Sequence, residues 1–223
     1  MGYQLTDSDD LDEHFAVLES AQESTLGIIS RTETVNIDDI EIVQRPTLLH
    51  DSTGAFVWNS TPLLYQYLNG SYGINSLSKY VVNKTVVELG CGTGALARLV
   101  GGLTNKYIAT DIAVLMKLAK QNTAGVKNVE VREFNWETDD WDGEVPDCIV
   151  TCDTIYNDYL VDHLIEAILL ITGRSPAIPV ILAVQIREVT MLYEAFEKLI
   201  KSFKVTHHYL SNGVAIYTLF CLG

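Results

Sequence analysis

The sequence lacks the features that mark membrane, zinc-binding and nucleic-acid-binding proteins. No apolar run approaches the roughly 18 residues that a membrane-spanning helix needs. The cysteines have no paired zinc spacing, so we expect them to be reduced and expect no metal site. Basic residues are also few, with 15 Lys and Arg against 29 Asp and Glu. The net charge of -14 argues against a nucleic-acid backbone as the main partner, because phosphate binding depends on Lys and Arg.

A secretory signal is missing too, since the acidic start "MGYQLTDSDDLDEHF" has no apolar core. We therefore expect a protein of the cytoplasm, also able to work in the nucleus, that does not bind membranes. Its acidity favours a basic protein surface as partner, although acidity can also serve solubility alone. Neither an internal repeat nor a low-complexity tract is present.

The 223 residues, of which 48% are apolar, suit one folded α/β domain with a modest extension, which we expect to be monomeric. We assign residues 1–50 to an N-terminal helix and β extension and residues 51–223 to the main domain. In the extension, Asp9 or Asp10 can cap a helix, and the apolar residues that follow recur at helical spacing. In the main domain, Ser60 or Thr61 can cap a helix that Asn69-Gly70 ends.

From Thr85 onward, strand and helix patterns alternate, which is typical of parallel strands with helices on both faces. The end differs, because Asn212-Gly213 joins two strand patterns and predicts a hairpin with one antiparallel strand. A parallel sheet closed by such a hairpin is the seven-stranded arrangement of Rossmann-like methyltransferases. Strands are predicted over 86–89, 107–110, 129–134, 148–152 and 180–184, and helices over 95–103, 114–121, 159–171 and 189–202.

The stretch "VVELGCGTGALARLV" places glycines between an apolar strand and a helix. Such a turn lets the backbone approach a nucleotide-like cofactor closely. The pattern also reads as the G-x-G-x-x-A of a nicotinamide dinucleotide site, or as a structural turn without a ligand. The residues concerned are Gly90, Cys91, Gly92 and Gly94.

Two carboxylates favour S-adenosylmethionine over a dinucleotide. Glu88 lies two residues before the first glycine, where it can receive the ammonium group of the cofactor. Asp111 ends the second strand of the alternating pattern and can accept hydrogen bonds from both ribose hydroxyls, or cap the following helix. A dehydrogenase would also need a substrate domain for which this chain has no residues.

Four segments in this order resemble the seven-β-strand protein lysine methyltransferases called methyltransferase family 16. They are "TGAFVWNSTPLLYQYL", "VVELGCGTG", "EFNW" and "CDTIY". The resemblance covers roughly residues 50–220 and implies a class I fold, S-adenosylmethionine as cofactor and methylation of a protein lysine. Within the family, "TGAFVWNSTP", "DTIYNDYLVDHLI" and "AVQIREVTMLYEAFEK" look most like the fungal members that modify the large-subunit ribosomal protein of the mobile stalk.

The resemblance also implies roles for single residues. Trp58 would lie near the cofactor and Trp136 would border the adenine, whereas by default both are core residues. Cys152 would offer its backbone near the cofactor or simply pack in the core. Asp153 and Tyr156 form the D-x-x-Y signature, and we expect them to orient the neutral acceptor amine. From the sequence alone, the two can equally cap and support the next helix.

Three alternatives stay open in principle. A nucleic-acid amino-methylase would carry Pro-Pro after the fourth strand, which "DTIY" lacks. A small-molecule methyltransferase would share the sheet, because the fold does not choose the acceptor. A non-catalytic module that binds the cofactor would use the same scaffold. For a lysine methyltransferase, the substrates favoured are a large-subunit ribosomal protein first and an elongation factor second.

Overall fold

The computed structural model describes residues 2–22, 27–45, 53–73 and 76–222. The predicted boundary at residue 50 lies outside these ranges. The strands are β1 (Tyr3–Leu5), β2 (Thr34–Ile37), β3 (Ile40–Val43), β4 (Thr85–Leu89), β5 (Lys106–Asp111), β6 (Val129–Glu133), β7 (Cys148–Cys152), β8 (Val180–Gln185), β9 (Phe203–Ser211) and β10 (Val214–Cys221). The helices are α1 (Ser8–Ser20), α2 (Ser60–Leu68), α3 (Ala95–Val100), α4 (Ala113–Thr123), α5 (Asp158–Thr172) and α6 (Val189–Ser202).

The main sheet has the order β1-β9-β10-β8-β7-β4-β5-β6. Strands β6, β5, β4, β7 and β8 pair in parallel, and β10 joins antiparallel between β8 and β9. The predicted alternation and the C-terminal hairpin are therefore confirmed. The predicted count of seven strands is wrong, because β1 adds an eighth strand that pairs antiparallel with β9.

Strand β1 is too short to show a strand pattern in the sequence. It pairs through only three residues, with Tyr3 opposite His207 and Leu5 opposite Val205. Of the three, Leu5 alone is buried, at 1% exposure. The strand forms because the edge of β9 offers free backbone groups and because α1 follows directly and packs on α6.

Two apolar layers cover the two faces of the sheet, since successive side chains of a strand point to opposite faces. On one face, Val87 and Ile149 pack in a cluster with the buried residues of α1, α5 and α6. On the other face, Val86 and Val150 pack with those of α2 and α3. Buried on both faces, the central strands read as continuous apolar runs in the sequence.

Two predicted helix starts need correction. Helix α1 is capped two or three residues earlier than expected, by Asp7, whose side chain accepts a 3.0 Å hydrogen bond from the backbone N–H of Asp10. Helix α2 begins at Ser60, but no side chain caps it. The Ser60 hydroxyl instead donates to the carboxylate of Asp153, because the helix start packs against the end of β7. Across the described residues, no helix has both the length and the apolar character to cross a membrane.

Candidate active site

One cavity lies at the carboxyl ends of the parallel strands, where open α/β sheets bind their ligands. It is lined by every residue predicted for the site except one: Trp58, Glu88, Gly90, Cys91, Gly92, Asp111, Trp136, Cys152, Asp153 and Tyr156. The exception is Gly94, which precedes α3 and packs against the backbone of Ala119 on α4. The fold thus brings together residues that are nearly 100 positions apart in the chain.

The loop between β4 and α3 is held in a conformation that a side chain would disturb. Gly92 has a φ of 54°, and a Cβ there would lie 2.7 Å from the backbone oxygen of Gly54. At Gly90, a Cβ would lie 3.3 Å from Cζ2 of the Trp136 indole ring. The glycines therefore let the backbone form the wall of the cavity.

Glu88, at the end of β4, is a buried carboxylate with an unused acceptor. Its exposure is 2%, and within the described part of the chain its Oε2 has no hydrogen-bond partner. Burial raises the pKa of Glu88 to about 8; the neighbouring Tyr107 hydroxyl opposes this rise, and the nearby Asp111 charge adds to it. A buried carboxylate is costly unless it is paired, so Glu88, which lines the cavity, is suited to a cationic or hydrogen-bond-donating ligand.

Asp111 ends β5 and ties two backbone segments together at the cavity. Its Oδ2 accepts a 2.7 Å hydrogen bond from the N–H of Gly92, and its Oδ1 accepts one of 2.8 Å from Ile112. Ile112, which caps α4, has no capping side chain, so Asp111 is not the helix cap. Each oxygen keeps a lone pair for a ligand. Burial raises the pKa of Asp111, and these two hydrogen bonds oppose that rise.

Asp153 follows β7 and lies at the centre of a hydrogen-bond network. Its backbone has the left-handed φ of 56°, which is uncommon outside glycine. Oδ2 accepts from the Ser60 hydroxyl, and Oδ1 accepts from the Gln185 N–H at 2.8 Å and lies 3.3 Å from Nη2 of Arg187. Burial raises the pKa of Asp153, while these partners, Arg187 first, oppose the rise.

The remaining predicted side chains differ in their exposure to solvent. Tyr156 is 45% exposed and lines the cavity from its outer side. The Cys152 thiol donates a weak 3.3 Å hydrogen bond to the Ser60 hydroxyl, and burial raises its pKa, so the thiol stays neutral. Trp58 is half-buried, with the guanidinium of Arg187 4.2 Å from the centre of its ring.

The model of a family described as lysine methyltransferase matches residues 38–203, which is most of the chain. The chain belongs to the lysine methyltransferase family. The matched span includes every residue that we predicted for the site.

Solved structures of other proteins, among them two methyltransferases, resemble this family member in fold. The N-methyltransferase NodS from Bradyrhizobium japonicum, in complex with S-adenosyl-L-homocysteine, is 14% identical, with a TM-score of 0.52 over 80% of this chain and 92% of that one. A precorrin-6y C5,15-methyltransferase from Geobacter metallireducens is 13% identical, with a TM-score of 0.55 over 81% and 94%. The PH0226 protein from Pyrococcus horikoshii is 12% identical, with a TM-score of 0.56 over 70% and 89%. At such low identity, these similarities show the Rossmann-like class I methyltransferase fold alone.

Two residues of the site in this lysine methyltransferase family member were not predicted from the sequence. Ser60 was assigned only as a helix cap, although its hydroxyl bonds the Asp153 carboxylate. Arg187 was not singled out at all. A signal for it existed, because Arg187 comes two residues after β8, and the carboxyl ends of parallel strands converge on the site.

Proposed function

We propose that the chain is an S-adenosylmethionine-dependent protein-lysine N-methyltransferase. Membership of the lysine methyltransferase family supports the reaction class. The observation that carries the proposal is Glu88, a buried carboxylate that lines the same cavity as Asp111 and the glycine loop. That cavity offers one acceptor for an ammonium group, a second carboxylate for a diol and an aromatic wall.

These residues fit S-adenosylmethionine group by group. Glu88 would receive the ammonium of its methionine part, and Asp111 would accept from the ribose hydroxyls with its remaining lone pairs. Trp136, which lies against Gly90, would border the adenine. The cofactor, when bound, supplies a methyl group on a positively charged sulfur.

The acceptor amine enters from the opposite end of the cavity, at Asp153 and Tyr156. Tyr156 is the more exposed of the two and meets the incoming side chain first. Asp153 has one donor, Ser60, on its Oδ2 and therefore retains a lone pair there for an N–H of the amine. Together they would point the lone pair of the nitrogen at the methyl group, so orientation is their main contribution.

The amine must lose its proton before it can react. From the reference lysine pKa of about 10.4, deprotonation at pH 7 costs roughly 5 kcal/mol. Burial of the ammonium lowers this cost, and so does the approach of a second positive charge. A strong base at the site is therefore not required.

A basic protein of the translation apparatus is the substrate that we propose. The net charge of -14 favours a basic surface, and the resemblance to ribosomal members of the family favours a large-subunit ribosomal protein over an elongation factor. The proposed location is accordingly the cytoplasm, with the nucleus as a second site of action.

Incubation with methyl-labelled S-adenosylmethionine tests the proposal. Purified protein is added to ribosomes, to elongation factors and to a whole lysate, and the labelled products are separated by gel electrophoresis and by chromatography of small molecules. We expect a labelled protein band whose hydrolysate contains methyl-lysine. The matched control is Glu88→Gln, which should abolish the band.

Other outcomes overturn part or all of the proposal. A labelled small molecule without a labelled protein would make the chain a small-molecule methyltransferase. Cofactor binding in calorimetry, with no labelled product in any fraction, would favour a non-catalytic module.

A further inference from the structure

Among the described residues that line the cavity, only Arg187 has a basic side chain. The carboxylates that line it are Glu88, Asp111, Glu137 and Asp153. Of the described lining residues, Arg187 alone therefore brings a fixed positive charge close to the place where the proposed amine and sulfonium meet.

Three contacts hold Arg187 in place. The side-chain amide of Gln22 donates to its backbone carbonyl, which fixes the chain after β8. Nη2 of its guanidinium lies 3.3 Å from Oδ1 of Asp153, and the guanidinium stacks on the ring of Trp58 at 4.2 Å. The side chain of Arg187 is 26% exposed and that of Asp153 is 2% exposed, so the charged pair is largely removed from water.

The pairing answers a difficulty in the proposed reaction. A lone buried carboxylate beside the acceptor would stabilise the ammonium form of lysine, because an opposite charge favours the charged state. Such a carboxylate would hold the proton that methyl transfer requires to leave. With Arg187 on Oδ1, the pair of Asp153 and Arg187 has no net charge, yet Oδ2 remains a hydrogen-bond acceptor.

We propose that Arg187 determines which protonation state of the acceptor is bound, because its charge cancels that of Asp153 and makes the site select a neutral amine. Arg187 also positions Trp58 and Asp153 through the same contacts. The inference depends on the proposed transfer of a methyl group to an amine and adds to it the basis of amine selection.

Sinefungin and S-adenosylhomocysteine together test this without any acceptor. Sinefungin carries a primary amine where S-adenosylmethionine carries the transferred methyl, and S-adenosylhomocysteine carries nothing there. The ratio of their affinities therefore reports how well the site accepts a cation at the point of transfer. Calorimetry at pH 7 gives both dissociation constants for wild type, Arg187→Gln and Arg187→Lys.

We expect Arg187→Gln to tighten sinefungin binding about tenfold relative to S-adenosylhomocysteine, because an unbalanced Asp153 then attracts the amine. Arg187→Lys retains the charge and should keep the wild-type ratio. A purely structural role would weaken both ligands together and leave the ratio unmoved, which overturns the proposal. An equal shift in both variants overturns it as well, since charge would then not be the cause.

The outcome is separable from that of the proposed function. A protein that labels no lysine but shows the expected ratios would retain the charge selection and lose its assignment as a protein methyltransferase. A protein that methylates lysine but shows no change in the ratio would retain its function, and the role of Arg187 would be wrong. Thermal unfolding of both variants confirms that they are folded before the ratios are compared.

Discussion

The hydroxyl of Ser60 donates a hydrogen bond to Oδ2 of Asp153 and joins the start of α2 to the end of β7. Both residues are buried, and they are 93 positions apart in the chain. The contact fixes the side chain that we propose to meet the acceptor amine. Ser60, although uncharged, therefore helps to set the position of the Asp153 carboxylate.

Replacing Ser60 by Ala should therefore weaken both stability and turnover. The loss leaves one carboxylate oxygen of Asp153 without its donor, which costs about 1 to 3 kcal/mol of unfolding free energy. Urea unfolding measures this cost. The matched control is Ser20→Ala, at the exposed end of α1, which should stay within about 0.5 kcal/mol of wild type. Equal stability of the two variants would show that the contact is energetically unimportant.

Glu88 should make the folded protein less stable as the pH rises. Its pKa is raised from 4.5 to about 8 in the folded state, so between these values the folded protein holds a proton that the unfolded chain has lost. Folding stability should thus fall with rising pH by up to roughly 1.4 kcal/mol per unit. Glu88→Gln removes this dependence, and the difference between the two unfolding profiles isolates it.

The affinity for the cofactor, in contrast to the stability, should increase as the pH rises. An ammonium group prefers the ionised carboxylate, so the wild-type affinity for S-adenosylhomocysteine should rise between pH 6 and 7.5, with a proton released on binding. Calorimetry in buffers of different ionisation enthalpy counts that proton. Glu88→Gln should bind weakly and without pH dependence. An affinity that is constant over this range in the wild type would place the ammonium elsewhere.

Local sequence patterns were enough to predict most of the fold and the walls of the site. Strands β4 to β8 and the helices between them follow from apolar periodicity, and the glycine loop follows from its position after β4. The hairpin after β9 follows from Asn212-Gly213, whose φ values are both positive, as such a turn needs.

Contacts between distant parts of the chain could not be predicted in this way. The pairing of β1 with β9 needs only three residues and depends on an edge that the sequence does not display. The roles of Ser60 and Arg187 depend on their meeting at Asp153, where a helix start and two strand ends converge. Local propensity describes neither kind of contact, because both are set by tertiary packing.

Gly92 should tolerate no side chain, although it lies in a glycine-rich loop. Its φ of 54° is unfavourable for alanine, and a Cβ would stand 2.7 Å from the backbone oxygen of Gly54. Gly92→Ala should cost about 1 to 3 kcal/mol and lower cofactor affinity at least tenfold. Gly102→Ala is the control, because a Cβ there meets nothing within 4 Å. Similar losses in both variants would mean that glycine content, not loop shape, matters.

His14 should make the attachment of the N-terminal strand sensitive to acid. Its Nδ1 lies 2.5 Å from the Tyr3 hydroxyl and its Nε2 lies 2.7 Å from that of Tyr217, so one imidazole joins α1, β1 and β10. Burial, and then the neighbouring His207, lowers the pKa of His14 to about 4. Between about pH 6.5 and 4, His14 is therefore protonated in the unfolded chain but neutral in the folded protein.

Stability should consequently fall as the pH decreases from 6.5 towards 4, by at most about 1.4 kcal/mol per unit for this histidine. The slope should be smaller in His14→Gln, whose neutral amide offers a donor and an acceptor but does not titrate. Amide hydrogen exchange of β1 locates the effect, since the amides that β1 bonds to β9 should lose protection before those of the central strands do. Above pH 7 the difference in unfolding free energy between wild type and His14→Gln should not change with pH. A difference that grows there instead would assign the pH dependence to another group.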